Sequence, residues 1–377
     1  MPTIRKTKVC IVSPNVYSYF NPKKDMIPGG AERQMHYLCH IISQNKNFAS
    51  HACVADFGQQ KKEMYGDVTC WASFRYNQNS LIGFYKLMRT LRKINADLYV
   101  FRSVDFGLAL TVFFIKKIFR KKCMYMVANI DESDPVNISN IIGSIGAKAM
   151  SWVYKNTDIL TVQSNDQFNA FISKRNIKPT MILHNRFSYG EHPYSENINK
   201  KSFLWVGRCD ELKQCEYYIQ LAQHFENESF VMICPKAKNE IYYQKIKTMS
   251  RGVNNLKYID HVDPNEVYQY YQNAYLYILT SKTEGFANTM LEALAYGCPV
   301  LTLNVNPDNI LTKNEIGYCS PNNDFIDLCN NCEKLLNDKK LHRAMSTNAL
   351  QYTHDVHLGD NEPKALLNII QDKVKLS

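Results

Sequence analysis

Short runs rich in β-branched and aromatic residues alternate along this chain with longer amphipathic segments, and the pattern is laid down twice. In the first half the runs read KVCIVS, HACVAD, DLYVF, CMYMVA, DILTVQ and TMILH, with helical patterns such as AERQMHYLCHIIS and SLIGFYKLMRTLRKI between them. The second half repeats the plan with SFLWVG, SFVMIC, LKYI, YLYILTS and PVLTL, separated by segments such as CEYYIQLAQHF and NEVYQYYQNA. Strand and helix in alternation build βαβ units and parallel sheets. At 377 residues the chain has room for two domains. The expected fold class is therefore α/β, two Rossmann-like doubly wound domains facing across a cleft. The expected boundaries are residues 1–186 for the first domain and 201–360 for the second. A polar, aperiodic linker at 187–200 holds Gly190 and Pro193, and a terminal helix follows at 361–377. Ligands of such sheets bind at the carboxyl ends of the strands, so the expected site is the cleft between the domains.

Charge is unevenly spread over this plan. The net charge is +10, with 25 Lys and Arg against 12 Asp and Glu in residues 1–185, and 20 against 23 in residues 186–377. A basic first half suits a polyanionic partner: a membrane surface, a phosphorylated substrate or nucleic acid. A solvated basic surface is the plainer alternative. The twelve cysteines are scattered, and the apolar run in MPTIRKTKVCIVS is too short for a secretory signal, so reduced thiols in a cytoplasmic protein are expected. Cys329 and Cys332 lie on an apolar helical stripe in DFIDLCNNCEKLLN and read as core residues. The longest apolar stretch, Phe106 to Ile115, is half of the roughly 20 residues needed to span a bilayer.

Three segments carry candidate chemistry. In YLYILTSKTEGFANTMLEALAYGCPVLTL a strand from Tyr275 to Thr280 runs into the loop SKTEGFA, and a helix begins near Asn288, the expected N-cap. Gly297 and Pro299 end that helix. Free N–H groups at such a helix start attract anions, Gly285 allows close backbone approach, and Glu284 and Glu292 can accept hydrogen bonds from polyols. A capped helix with exposed glutamates is the competing reading. In FLWVGRCDELKQ a strand ends at Gly207, and Arg208 and Lys213 follow where two cations suit a diphosphate; solvated loop charges are the alternative. Gly29 and Gly30 open a helix after the first strand and would let backbone approach a phosphate.

GGAER, then VGR with a lysine five residues on, then EGF with Glu-x7-Glu before GCPV, occur in this order and spacing. With TVQSNDQFNAFISKRNIKPTMILHNRFS ahead of the linker, the chain resembles the retaining glycosyltransferases of family 4 (group 1), which have the GT-B fold. The resemblance implies that Arg208 and Lys213 bind the donor diphosphate and stabilise its growing charge. It implies that Glu284 contacts the transferred sugar and Glu292 the ribose. Gly285 and the backbone of Phe286, Ala287 and Asn288, with Gly29 and Gly30, complete the implied donor site. Arg208, Lys213 and Glu284 are the implied catalytic set. The donor would be a UDP- or GDP-sugar, no cofactor or metal would be required, and no metal-ligand cluster is evident in the sequence. Retention of anomeric configuration would follow from same-face attack assisted by the leaving phosphate. The last helix is expected to pack back on the first domain.

The chain departs from the family in places. No histidine stands in VFRSVDFG or VANIDESD, so Arg102, Asn129 and Asp131 are the acceptor-side candidates. Gln214 stands where a glycine often follows the lysine, and NPDNI replaces a Gly-Gly-x-x-Glu pattern. The acceptor is expected to be a glycan or lipid-linked glycan of cell-surface polysaccharide, lipopolysaccharide or glycolipid synthesis. Residues 85–93 hold Lys86, Arg89, Arg92 and Lys93, and residues 113–122 hold Lys116, Lys117, Arg120, Lys121 and Lys122. At about 1 kcal/mol per cation these could hold the protein on an anionic membrane, peripherally at the inner face. The competing readings are a GT-B epimerase or phosphorylase, and a non-catalytic glycan- or nucleic-acid-binding protein. No nucleic-acid-binding motif is present, and no nucleic acid partner is expected.

Overall fold

The computed structural model describes residues 5–21, 29–102, 104–105, 107–195, 201–263 and 266–375. It divides into two compact units, one of Met1–Arg186 with Asp360–Ser377, the other of Phe187–Gly359.

The first unit is built on an eight-stranded sheet of β1 (Thr7–Val12), β2 (Phe48–Val54), β3 (Lys62–Tyr65), β4 (Val68–Ala72), β5 (Leu98–Phe101), β6 (Lys122–Met126), β7 (Ile159–Val162) and β8 (Met181–Ile182). The strand order is β3-β4-β2-β1-β5-β6-β7-β8. All pairs are parallel except β3 with β4. Alternate side chains feed two cores, as the pleat requires. Val9, Ile11, Leu98 and Val100 enter the core that holds Met35 and Leu38 of the helix Gly30–Gln44. Cys10, Tyr99 and Phe101 enter the opposite core, beneath the helices Ser80–Ile94 and Pro135–Asn156. Strands buried on both faces read as continuous apolar runs, which is why β5 and β7 were legible. The helix Asn361–Lys375 adds Leu366, Leu367 and Ile370 to the first of these cores.

The second unit holds β9 (Ser202–Val206), β10 (Ser229–Ile233), β11 (Leu256–Ile259), β12 (Ala274–Leu279), β13 (Val300–Thr302) and β14 (Gly317–Cys319), in the order β11-β10-β9-β12-β13-β14. Every pair is parallel. Phe203 and Trp205 face one core and Leu204 the other. Gly317 fits because a Cβ there would lie 1.8 Å from the Val300 carbonyl oxygen.

In both sheets the order reverses beside the first strand. The crevice for a ligand opens where neighbouring strands send their connections to opposite sides. In the second unit that point lies between β9 and β12, so the loops after those two strands flank it.

Strands β3, β4 and β14 were not expected. β3 alternates exposed and half-buried residues at a sheet edge, and β14 is three residues long. The stretch 187–200 was expected as a linker. Residues 196–200 lie outside the described residues. Residues 187–195 form no helix or strand, but Phe187 and Tyr189 pack on Tyr296 at ring-centroid distances of 6.1 and 5.7 Å. Tyr189 also donates to the Ala295 carbonyl at 2.7 Å.

Candidate functional site

The loop after β9 is tightly organised. Asp210 accepts a hydrogen bond from the Leu212 N–H at 3.0 Å and so caps the 3-10 turn Glu211–Lys213. Gln214 then takes a left-handed conformation, φ 47°, and the helix Cys215–His224 begins. The turn is stitched to the end of β12. Thr280, fully buried, donates its hydroxyl hydrogen to the Lys213 carbonyl at 2.6 Å and accepts from the Trp205 indole N–H at 2.9 Å. The Lys282 N–H donates to the Leu212 carbonyl at 2.8 Å.

This stitching places the Lys213 ammonium in an ion pair with the Glu284 carboxylate, with side-chain exposures of 23% and 19%. Arg208 is exposed and has no ion-pair partner among the described residues. It is the more available cation of the two.

The helix after the β12 loop spans Asn288–Ala295. Asn288 is its first helical residue rather than its N-cap. Ala287 holds the cap position and provides no side-chain hydrogen bond. Helices starting at Ser80, Pro135, Asn165, Glu240, Phe325 and Lys339 all have a side-chain cap. Those starting at Gly30, Cys215 and Asn288 have no side-chain hydrogen bond from the N-cap residue, and neither do those starting at Tyr17, Leu108, Val267 and Ile310. The dipole of the helix Asn288–Ala295 puts its positive end at this loop, which favours an anion.

Glu292 is 8% exposed, one turn into the same helix. It and Glu284 bear on one phenol. Burial pushes the Tyr277 hydroxyl above its ordinary range, and the charges of Glu292 and Glu284 push it further. Tyr277 donates to Thr289 at 2.7 Å. Gly285, Phe286 and Ala287 are buried, with the Phe286 ring 5.0 Å from His357. The Ser281 hydroxyl in this loop is buried and has no hydrogen-bond partner among the described residues.

The remaining candidates lie on the first unit. Gly29 is the N-cap of the helix Gly30–Gln44, and its carbonyl accepts from Tyr19 at 3.1 Å. Arg102, 6% exposed, donates to Asn185 at 3.0 Å, and burial lowers its pKa to about 10. Asn129 caps the turn Ile130–Ser133, where its side chain accepts from the Asp131 N–H at 3.3 Å. The Asp131 carboxylate accepts from Asn137 at 3.0 Å. That turn is fixed by Glu132, which accepts from Tyr125 and Tyr154 and from the Ala128 and Asn129 N–H groups. All three acceptor-side candidates thus have structural partners.

Of the basic residues in 113–122, Lys116 and Lys122 pair with Asp158 and Lys121 with Asp97. Lys117 and Arg120 are exposed. Among the described residues, no helix is long and apolar enough to cross a membrane.

The amino-acid sequence carried no sign of Thr280, Trp205, Tyr277 or Ser281. The only available signal was position, since each lies in or beside a motif strand. It also gave no sign of a cluster of buried thiols. The Sγ atoms of Cys209, Cys215 and Cys234 lie within 4.8 Å of one another and could hold a metal ion.

Residues 191–352 match the family described as glycosyl transferases group 1. An uncharacterized glycosyltransferase of Haemophilus influenzae is 22% identical over 42% of this chain and 46% of its own length. The capsular polysaccharide biosynthesis glycosyltransferase CapM of Staphylococcus aureus is 30% identical over 25% of this chain and 24% of its own length. An uncharacterized 41.2 kDa protein of the Klebsiella pneumoniae cps region is 23% identical over 70% of this chain and 76% of its own length. The chain thus spans less than half the length of the first two of these relatives. Among solved structures, sucrose-phosphate synthase of Thermosynechococcus elongatus superposes with a TM-score of 0.80 at 14% identity, over 99% of this chain and 100% of that one. Anabaena HepE in complex with UDP and glucose gives 0.73 at 14% identity, over 97% and 99%. The fold is GT-B, and residues 191–352 are similar to the glycosyl transferases of group 1.

Proposed function

We propose that the chain is a retaining glycosyltransferase that moves a sugar from a UDP- or GDP-sugar to a glycan or lipid-linked acceptor. The observation that carries this reading is the Lys213–Glu284 pair, set beside a helix start where the sheet order reverses. Diphosphate, sugar and ribose need cations, N–H donors and carboxylates, and these loops hold all three. The complex of HepE with UDP and glucose supports a UDP-sugar.

In this mechanism Arg208 and Lys213 hold the diphosphate. As the glycosidic bond breaks, negative charge grows on the leaving phosphate, and the two cations stabilise it. Fixed charges of this kind are usually the largest catalytic term. The N–H groups at the start of the helix Asn288–Ala295 act in the same sense. Glu284 orients the transferred sugar through its hydroxyls, and Glu292 grips the ribose. Gly29 and Gly30 are assigned to the phosphates, and Arg102, Asn129 and Asp131 to the acceptor side. The leaving phosphate assists deprotonation of the acceptor, so no carboxylate base is required and an α-linked donor gives an α-linked product.

The acceptor belongs to cell-surface polysaccharide synthesis, a reading supported by the relatives CapM and the protein of the cps region. Peripheral membrane attachment is proposed for the first unit. It is supported by exposed Leu81, Ile82, Tyr85, Phe113 and Ile118 beside exposed Lys86, Arg89, Lys117 and Arg120. Flotation with anionic vesicles at low and high salt tests it, and binding that ignores lipid charge and salt contradicts it.

Thermal-shift screening against UDP-, GDP-, ADP- and CMP-sugars tests the donor class, because a ligand of the folded state raises its melting temperature. One nucleotide series is expected to stabilise the protein. No shift with any series contradicts the reading. Proton NMR of the product then tests retention, since a β-linked product from an α-linked donor contradicts it.

A further inference from the structure

We propose that Cys209, Cys215 and Cys234 form a three-thiolate site for a thiophilic d10 cation, Cu+ or Zn2+. The residues come from three elements. Cys209 lies in the loop after β9, Cys215 is the first residue of the helix Cys215–His224, and Cys234 directly follows β10. All three are fully buried. Their sulfurs lie within 4.8 Å of one another, with Cys215 and Cys234 at 4.0 Å. Thiolates bound at about 2.3 Å around one ion stand about 4 Å apart, so the sulfurs need only a small contraction to share a centre.

Their backbones are already fixed. The Cys209 N–H donates to the Pro235 carbonyl at 2.8 Å, and the Cys234 N–H to the Ile259 carbonyl at 2.9 Å. The Cys215 N–H donates to the Tyr242 hydroxyl at 3.1 Å. The site would therefore be preorganised, and ion binding would cost little rearrangement.

A buried cysteine often serves only as a small apolar side chain. That role asks for apolar neighbours and has no need of convergent sulfurs. Cys329 and Cys332 fill it here, on one helix face within the core; the triad packs in the same core, and what sets it apart is that its three sulfurs converge. Among the described residues, the triad is the one group of three His, Cys, Asp or Glu side chains whose donor atoms converge in this way. Soft sulfur ligands select Cu+ and Zn2+ over Mg2+, Ca2+ and Mn2+. Three sulfurs satisfy Cu+, whereas Zn2+ prefers a fourth ligand. The positive charge of the ion itself offsets that of the thiolates, and the Cys215 sulfur lies at the positive end of the helix Cys215–His224. Cys209 and Cys215 bracket the segment 209–215, and a bound ion would fix that loop at both ends.

The test uses the full chain, purified under reducing conditions and stripped of metal. Co2+, as a reporter for Zn2+, and buffered Cu+ are added separately. Near-ultraviolet sulfur-to-metal absorption reads the ligands, and native mass spectrometry reads the stoichiometry. One ion per chain is expected, with slower hydrogen exchange in residues 207–216. Cys209→Ser and Cys234→Ser should each weaken binding by about 100-fold or more, while Cys329→Ser leaves it unchanged. Circular dichroism checks that the variants fold. If they do not, X-ray absorption on the wild-type complex decides, with a sulfur-only first shell expected. Absence of stoichiometric binding by both ions, a nitrogen or oxygen shell, or unaltered binding in folded Cys209→Ser and Cys234→Ser overturns the proposal. A preference for Cu+ or for Zn2+ identifies which cation the site takes.

Discussion

Lys213 is ion-paired with Glu284, a residue 71 positions further along the chain, and the pair joins the loops that follow β9 and β12. Both side chains are partly exposed, so the pair contributes little to stability. Its significance is positional, since it holds one cation and one carboxylate together at the point where the sheet order reverses. A double-mutant cycle of Lys213→Ala and Glu284→Ala, read by chemical denaturation, should give a coupling of about 0.5–1 kcal/mol that shrinks in high salt. A coupling of several kcal/mol would mean a buried structural bridge instead.

Thr280 links the Trp205 indole to the Lys213 carbonyl. Thr280→Val keeps the shape and removes both hydrogen bonds, leaving the buried Trp205 donor and the part-buried Lys213 carbonyl unpaired. A loss of about 2–4 kcal/mol is expected from two unsatisfied groups. Because the carbonyl belongs to Lys213, the apparent KM for the donor should rise as well. Calorimetry and donor-dependence kinetics on the same variant check both. A destabilised variant with unchanged donor KM would separate Thr280 from the site.

Gln214 holds a left-handed conformation where glycine carries no Cβ penalty. Gln214→Gly removes about 1–2 kcal/mol of backbone strain and loses about 0.5–1 kcal/mol to unfolded-chain entropy. The expected net gain is about 0.5–1 kcal/mol. Differential scanning calorimetry should show a higher melting temperature, and a lower one would mean that the Gln214 side chain holds the turn.

His36 and His40 face each other with Nε2 atoms 3.1 Å apart, so one must stay neutral to accept. Burial lowers the His36 pKa from 6.5 to about 4, with the charges of His40 and Arg33 adding to the effect. Burial also lowers that of His40. Between 6.5 and about 4 the unfolded chain binds a proton that folded His36 refuses, so stability is intact above this window and lost as pH falls through it. His36→Gln should flatten the decline in melting temperature between about pH 7 and about pH 5. The flattening is partial, because burial, then Lys8 and Lys62, lower His51 to about 4 as well. An unchanged slope would contradict the assignment to His36.

The α/β class was legible because strands buried on both faces leave continuous apolar runs such as LYVF and ILTV, whereas the GT-B expectation came from the family resemblance of the motifs. Edge strand β3, with KEMY half in solvent, carries no such run. Arg208, Lys213, Glu284 and Glu292 were named from spacing, and the structure pairs the second with the third. The cap at Ala287 was not legible, since Asn288 is the better capping residue and only backbone geometry places it inside the helix. The relay through Thr280 and the thiol triad were hidden for one reason: each joins residues from separate βα units that meet only when the sheet is assembled.

Donor turnover in Arg208→Ala, Lys213→Ala and Glu284→Ala tests the central claim most directly. With a stabilising nucleotide-sugar and folded variants, kcat/KM should fall by about 100-fold or more in each, the scale of losing one charge-stabilising group in a transition state. Near-normal turnover in all three would contradict the assignment of donor chemistry to the loops after β9 and β12.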